Sequence, residues 1–218
     1  VLSMSNAYYN EGLEKAQIRD LTGATACLQL SLKLNKRNTQ ARNLLGLIYF
    51  ETGETVMALT EWVISKNYQP EKNIADDYIT KVQSNPSLLS KMDGAVHKYN
   101  QSLGYCSQGI YDMPAIQLRK IIQLHPKLLQ ARLLLALLYI QSEKWEQAKE
   151  QLEICKAVDI GNITTNRFLA EVDEALGFEN SKNAGKKQKE TAVYMTSGND
   201  TIIQPVNHKE STGLHVFI

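Results

Sequence analysis

A gapless period of 34 residues constrains this chain more than any other feature of its sequence. Four segments align on it: residues 5–38, 39–72, 95–128 and 129–162. Self-similarity at this spacing marks stacked supersecondary units, each too small to bury its own apolar face alone. Two copies match best. Residues 41–70 read ARNLLGLIYFETGETVMALTEWVISKNYQP, and residues 131–160 read ARLLLALLYIQSEKWEQAKEQLEICKAVDI. Each places a small residue, Gly46 or Ala136, three positions before a tyrosine.

The recurring positions follow one pattern. A small residue recurs as Gly12, Gly46, Ser102 and Ala136, and the tyrosine position as Lys15, Tyr49, Tyr105 and Tyr139. An alanine position follows as Ala24, Ala58, Pro114 and Ala148, then a large apolar one as Leu28, Trp62, Leu118 and Leu152. The unit closes on Lys36, Pro70, Pro126 or Ile160. This resembles the tetratricopeptide repeat, a helix-turn-helix unit with the signature W-x2-L-G-x2-Y, A-x3-F and P. The second copy departs at the opening Trp, which is Arg42; the first and third are degenerate. The resemblance implies an all-α, right-handed superhelix of four helix hairpins. Small residues let paired helices approach, and Pro ends each unit. Pro114 fits if Asp112 caps its helix and Pro114 lies in the first turn.

Residues 73–94 interrupt the period. Ile74, Tyr78, Ile79 and Val82 recur at helical spacing, which predicts an extra helix over 73–84, stopped by Pro86. The next helix then begins early, with Leu88, Leu89, Met92, Val96 and Tyr99. One continuous superhelix and two lobes with a bend both fit this layout. After the last repeat, Phe168, Leu169, Val172, Ala175 and Leu176 predict a cap helix over 163–177 that ends at Gly177. The polar, lysine-rich stretch 178–191 reads as a linker, and 192–218 as a flexible or extended tail.

Composition narrows the function. Lys plus Arg is 24 and Asp plus Glu is 23, so the net charge of +1 argues against a nucleic-acid binder. Cys27, Cys106 and Cys155 lie far apart, without metal-ligand spacing, and their odd number argues against a disulfide framework. They read as small buried hydrophobes in a reducing compartment. His97 with Asp93 reads as a surface pair, and Asp76 with Asp77 as a solvated helix face. No phosphate loop, dinucleotide fingerprint or nucleophile elbow is present. No enzymatic activity, metal or cofactor is expected.

The resemblance also places a concave groove on the first helix of each repeat. The first repeat would supply Asn6, Tyr9, Leu13 and Ala16, and the second Gln40, Asn43, Leu47 and Phe50. The third would supply Val96, Tyr99, Leu103 and Cys106, and the fourth Gln130, Leu133, Leu137 and Ile140. Of these, Tyr9, Leu13, Gln40, Asn43, Leu47, Phe50, Tyr99, Leu103, Gln130, Leu133, Leu137 and Ile140 are the expected partner-binding residues. The basic clamp of chaperone-tail receptors is absent, since Tyr9, Leu13 and Leu44 occupy its positions. An apolar groove suits a peptide or helix of a partner protein; packing by the chain's own elements is the competing reading. Self-assembly into a homo-oligomer is the alternative function, and an enzyme with an unrecognised site a weaker one. The chain, including DYITKVQSNPSLL and SGNDTIIQPVN, also resembles bacterial proteins with a zinc ribbon before the repeats and a membrane anchor after a basic linker. The ribbon and anchor are missing here, so that resemblance implies a fragment. Its parent would be cytoplasmic and tethered at the inner membrane face after Lys182, Lys186, Lys187 and Lys189.

Overall fold

A computed structural model describes residues 2–194, with side-chain detail at 2–85, 92 and 94–178. Two compact units divide the chain, Val1–Asp173 and Glu174–Ile218, and the packing below belongs to the first. Helices α1 (Leu2–Gln17) and α2 (Leu21–Leu34) form one hairpin, and α3 (Thr39–Glu51) and α4 (Thr55–Tyr68) the next. A short α5 (Ala75–Gln83) precedes the hairpins of α6 (Pro86–Ser107) with α7 (Asp112–Leu124) and of α8 (Leu129–Gln141) with α9 (Trp145–Val158). Helix α10 (Ile163–Tyr194) follows. The described residues contain no strand, and the fold is an all-α solenoid of helix hairpins.

Side-chain amides and carboxylates start several of these helices by accepting from otherwise unpaired N–H groups. Asp20 Oδ1 accepts from Gly23 N at 2.8 Å, Asn38 Oδ1 from Ala41 N at 3.1 Å, and Asn162 Oδ1 from Thr165 N at 2.9 Å. Before α5, Asn73 Oδ1 accepts from Ala75 N at 3.1 Å, a turn contact one residue ahead of the cap position, Ile74, which has no side-chain cap. Asp112 is not the cap expected of it. The residue before α7 is Tyr111, and Asp112 opens the helix, where its charge meets the positive helix end. Pro114 is buried in that first turn, where its missing N–H would have had no helical partner.

The seam within each hairpin uses the expected pairs. Gly12, Gly46, Ser102 and Ala136 are buried, as are Leu28, Trp62, Leu118 and Leu152. Trp62 is 1% exposed, and its indole N–H donates to Asn43 O at 3.2 Å. Its ring lies 5.9 Å from Phe50 and 5.1 Å from Tyr78, centroid to centroid. This approach requires glycine at 46, since a Cβ there would lie 2.6 Å from Trp62 Cδ1. Where the opening Trp is missing, Arg42 Nε donates to Lys36 O at 3.0 Å and Nη1 to Glu61 Oε2 at 2.6 Å. Arg132 repeats this in the last hairpin, with Pro126 O at 3.0 Å and Gln151 Oε1 at 3.0 Å.

The inserted helix completes the second hairpin. Ala75, Ile79 and Val82 pack with Ala58 and Trp62, and Leu47 and Phe50 join the same cluster. Helix α5 therefore takes the place of a next repeat's first helix. Beyond it the two pairs of hairpins meet turn against junction. In one contact, Asp159 Oδ1 accepts from Leu21 N at 2.9 Å and Thr22 N at 3.2 Å, and Oδ2 from Thr22 Oγ1 at 2.6 Å. Ile160 N donates to Arg19 O at 3.0 Å beside it. In the other, Leu129 N donates to Thr52 O at 3.3 Å, and Lys127 Nζ lies 2.8 Å from Glu51 Oε2. Gly53, at φ 85°, is fixed twice: the left-handed region favours glycine, and a Cβ would lie 2.7 Å from Leu128 Cα.

Helix α10 does not stop at Gly177. It continues to Tyr194, so the described part of the second unit is helical where a linker was expected. Gly177 and Gly185 cost a helix only about 1 kcal/mol each, and the Lys, Gln, Glu and Ala residues among 178–192 are good helix formers that offset them. The side chains of Lys182, Lys186, Lys187 and Lys189 and the expected tail beyond Tyr194 lie outside the described residues. Among the described residues no helix is long and apolar enough to cross a membrane.

Two alanine substitutions separate close approach from open helix surface. Gly46→Ala should push Trp62 off its hydrogen bond and destabilise the fold by about 2–3 kcal/mol. Gly104→Ala, with nothing within 4 Å of the new Cβ, should be neutral or stabilise by up to about 1 kcal/mol. Chemical denaturation of both variants checks the contrast.

Candidate partner-binding site

The meeting of the two hairpin pairs leaves two cavities. The first, about 250 Å³, lies between Leu21, Thr22 and Thr25 of α2, Ile48 and Tyr49 of α3, and Leu129, Gln130 and Leu133 of α8. Cys155, Asp159, Asn162 and Thr165 close its far side, and Thr52 and Glu54 its near side. The second, about 360 Å³, lies where the α3–α4 turn faces α6. Its walls are Gly53, Glu54, Thr55, Val56 and Met57 on one side and Met92, Val96, Tyr99 and Asn100 on the other, with Leu128 and Gln130 between them.

The expected groove residues are divided among three settings. Gln130 borders both cavities, Leu133 the first and Tyr99 the second. Leu47 and Phe50 pack on the Trp62 cluster, and Tyr9 on the cluster built by α2 and α3, so these three serve internal packing. Asn43 Nδ2 donates to Asn73 Oδ1 at 2.9 Å, which ties it to the start of α5. Leu13, Leu137 and Ile140 are half-buried, and Gln40 and Leu103 are exposed.

Glu54, Val56, Met57 and Met92 were not anticipated as site residues. A signal for two of them was present. Val56 and Met57 are large apolar residues at the start of α4, off the positions, Ala58 and Trp62, that build the seam. They are 59% and 46% exposed, and Val96 opposite them is 40% exposed.

The titratable groups at these cavities are perturbed mainly by burial. Burial raises the carboxyl of Glu54 above its ordinary value, and a hydrogen bond from Thr52 Oγ1, at 3.4 Å, opposes the shift only in part. Burial raises the phenols of Tyr49 and Tyr99, and the charge on Glu54 adds to the shift at Tyr99. Burial also raises all three thiols, Cys155 to about 11. Groups shifted this way are poor nucleophiles. Among the described residues, no three of His, Cys, Asp and Glu stand where they could hold a metal ion.

Two measurements follow from these shifts. Thiol titration of the native chain at pH 8 should find all three cysteines unreactive on the timescale of an exposed thiol, because they are buried and Cys155 is only about one part in a thousand thiolate. All three should react once the chain is unfolded. Glu54 holds its proton more tightly folded than unfolded, so its contribution to stability is greatest at low pH and falls as pH rises through the raised value. Glu54→Gln should therefore be at least as stable as the wild type at pH 7. That advantage should shrink as pH falls through the raised value and be gone by about pH 4.5, read by urea denaturation across pH.

No protein-family model matches the sequence, and no curated protein matches it. Several solved structures show similarity, two of them as follows. One is the TPR domain of P58(IPK), at 13% identity and a TM-score of 0.39, over 80% of this chain and 56% of that one. The other is the MamA protein, at 17% identity and a TM-score of 0.37, over 90% of this chain and 98% of that one. The superpositions are loose, and the repeat architecture of this chain rests on the hairpins, caps and seams described above.

Proposed function

We propose that this chain is a non-catalytic scaffold that docks an apolar segment of a partner protein between the α3–α4 turn and helix α6. The observation that supports it is the exposure of Val56, Met57 and Val96 on facing walls of one cavity. Side chains of this size at the mouth of a cleft lose solvent-facing apolar surface when a partner segment enters. Tyr99 and Gln130 are kept from the expected groove, and Leu47 and Phe50 are given up to the core. Buried, weakly acidic thiols suit a binding module better than a thiol-dependent enzyme.

Self-association is the second reading. Met113, Ile116 and Leu124 lie on one face of α7 and are 53%, 46% and 69% exposed. Light scattering across concentration would show it as a rise above the 24.5 kDa of one chain.

A photo-crosslinking residue at Met57 should capture a protein partner from lysate, and Val96→Asp should abolish capture while leaving the circular dichroism spectrum unchanged. Equal capture by the folded Val96→Asp variant would sink the cleft as the docking site.

A further inference from the structure

The strongest unassigned feature of the cleft is a carboxylate without a cation. Glu54 stands at the residue before α4, yet its side chain makes no capping hydrogen bond to that helix. It accepts from Thr52 Oγ1 at 3.4 Å, a long contact for an oxygen acceptor. The other half-buried carboxylates of the described residues are neutralised: Asp20 by Lys15, Glu51 by Lys127 and Arg19, Glu61 by Arg42, and Asp76 by Lys66. Asp159, fully buried, accepts from donors at Leu21, Thr22 and Gly161. Glu54 alone among these combines partial burial with neither a cation nor a full set of donors, and it borders both cavities.

We infer that the partner segment carries a lysine or arginine among its apolar residues, and that this cation pairs with Glu54. The inference rests on the cleft being the docking site. Val56, Met57, Val96 and Tyr99 would cover the apolar side chains, and the long stem of the basic residue would lie against the same surface while its charge reaches the carboxylate. The pairing gives selectivity as well as affinity. A segment with an acidic residue at that place meets a like charge, and a wholly apolar one leaves Glu54 desolvated and unpaired. Burial has already raised the Glu54 carboxyl, so part of its desolvation is present before a partner arrives.

The probe is a phage-displayed library of random dodecapeptides, selected on the full chain. Enriched sequences are then titrated as synthetic peptides. Enriched peptides are expected to carry Lys or Arg flanked by apolar residues. Glu54→Gln should weaken them at least tenfold, and the same peptides with that cation replaced by Gln should lose as much and no longer distinguish Glu54→Gln from the wild type. Val96→Asp should abolish binding, with circular dichroism confirming that both variants are folded. Peptides lost on Val96→Asp but indifferent to Glu54→Gln would overturn the cation pairing and leave the cleft reading standing. Failure to enrich any peptide sensitive to Val96→Asp would count against both. A concentration-dependent dimer abolished by Val96→Asp would give the cleft to a second copy of the chain and also overturn the inference.

Discussion

The carboxylate of Asp159 joins the first helix hairpin to the last. It lies at the end of α9, yet it accepts from the first backbone N–H groups of α2, far away in sequence. Those groups have no partner within their own helix, and a buried acceptor satisfies them where water cannot. A charged acceptor near the positive end of a helix gains further from the helix dipole. The same residue also accepts from Gly161 N at 3.1 Å, which shapes the turn into α10. One side chain thus fixes a helix start, a turn and the contact between two ends of the solenoid.

The second contact, at the α3–α4 turn, works through different groups. Glu51 takes cations from both sides, Arg19 at 3.9 Å and Lys127 at 2.8 Å, and Lys127 also sits 5.5 Å from the Phe50 ring centroid. These pairs are partly exposed, so each contributes little by itself and is screened by salt. The fit of Gly53 against the Leu128 backbone sets the spacing, because no other residue has both the required backbone freedom and the missing Cβ. Ion pairs orient the two surfaces, and the glycine lets them touch. The cavities on either side result from surfaces held at turns and junctions rather than face to face.

The hairpins were legible in the sequence because their signals are local and periodic. Gly46 and Trp62, or Ala136 and Leu152, sit at fixed offsets that any repeat alignment exposes, and both pairs are buried together. Pro86 marked the start of α6, and the apolar spacing of Ile79 and Val82 marked α5. The end of α10 was misread because Gly177 was given more power to stop a helix than its cost supports. The site was only partly legible. Tyr99 and Gln130 line the cleft, but Glu54, Met57 and Met92 reach it from a turn and from two helices. No periodicity links these positions, and contacts over such separations leave no trace in local spacing. Asp159 shows the same limit, since a lone Asp in the sequence VDIGN reads as turn chemistry.

The inserted helix explains why a cleft forms at a turn. In an uninterrupted solenoid the first helix of each repeat continues one concave face. Here α5 covers the apolar surface of α3, with Leu47 and Phe50 beneath it, and has no hairpin partner of its own. The next helix, α6, packs on α7 far more than on α5, so the stack is broken between them. Once broken, the second pair of hairpins contacts the first through its loops, and α6 comes to face the α3–α4 turn. Turn residues are poor at covering apolar side chains, since their backbone polar groups need partners of their own. Val56, Met57 and Val96 stay exposed for that reason, and the cation at this contact, Lys127, pairs with Glu51 rather than with Glu54. The break in the repeat that obscured the fold in the sequence is also what places an apolar wall beside an unneutralised carboxylate.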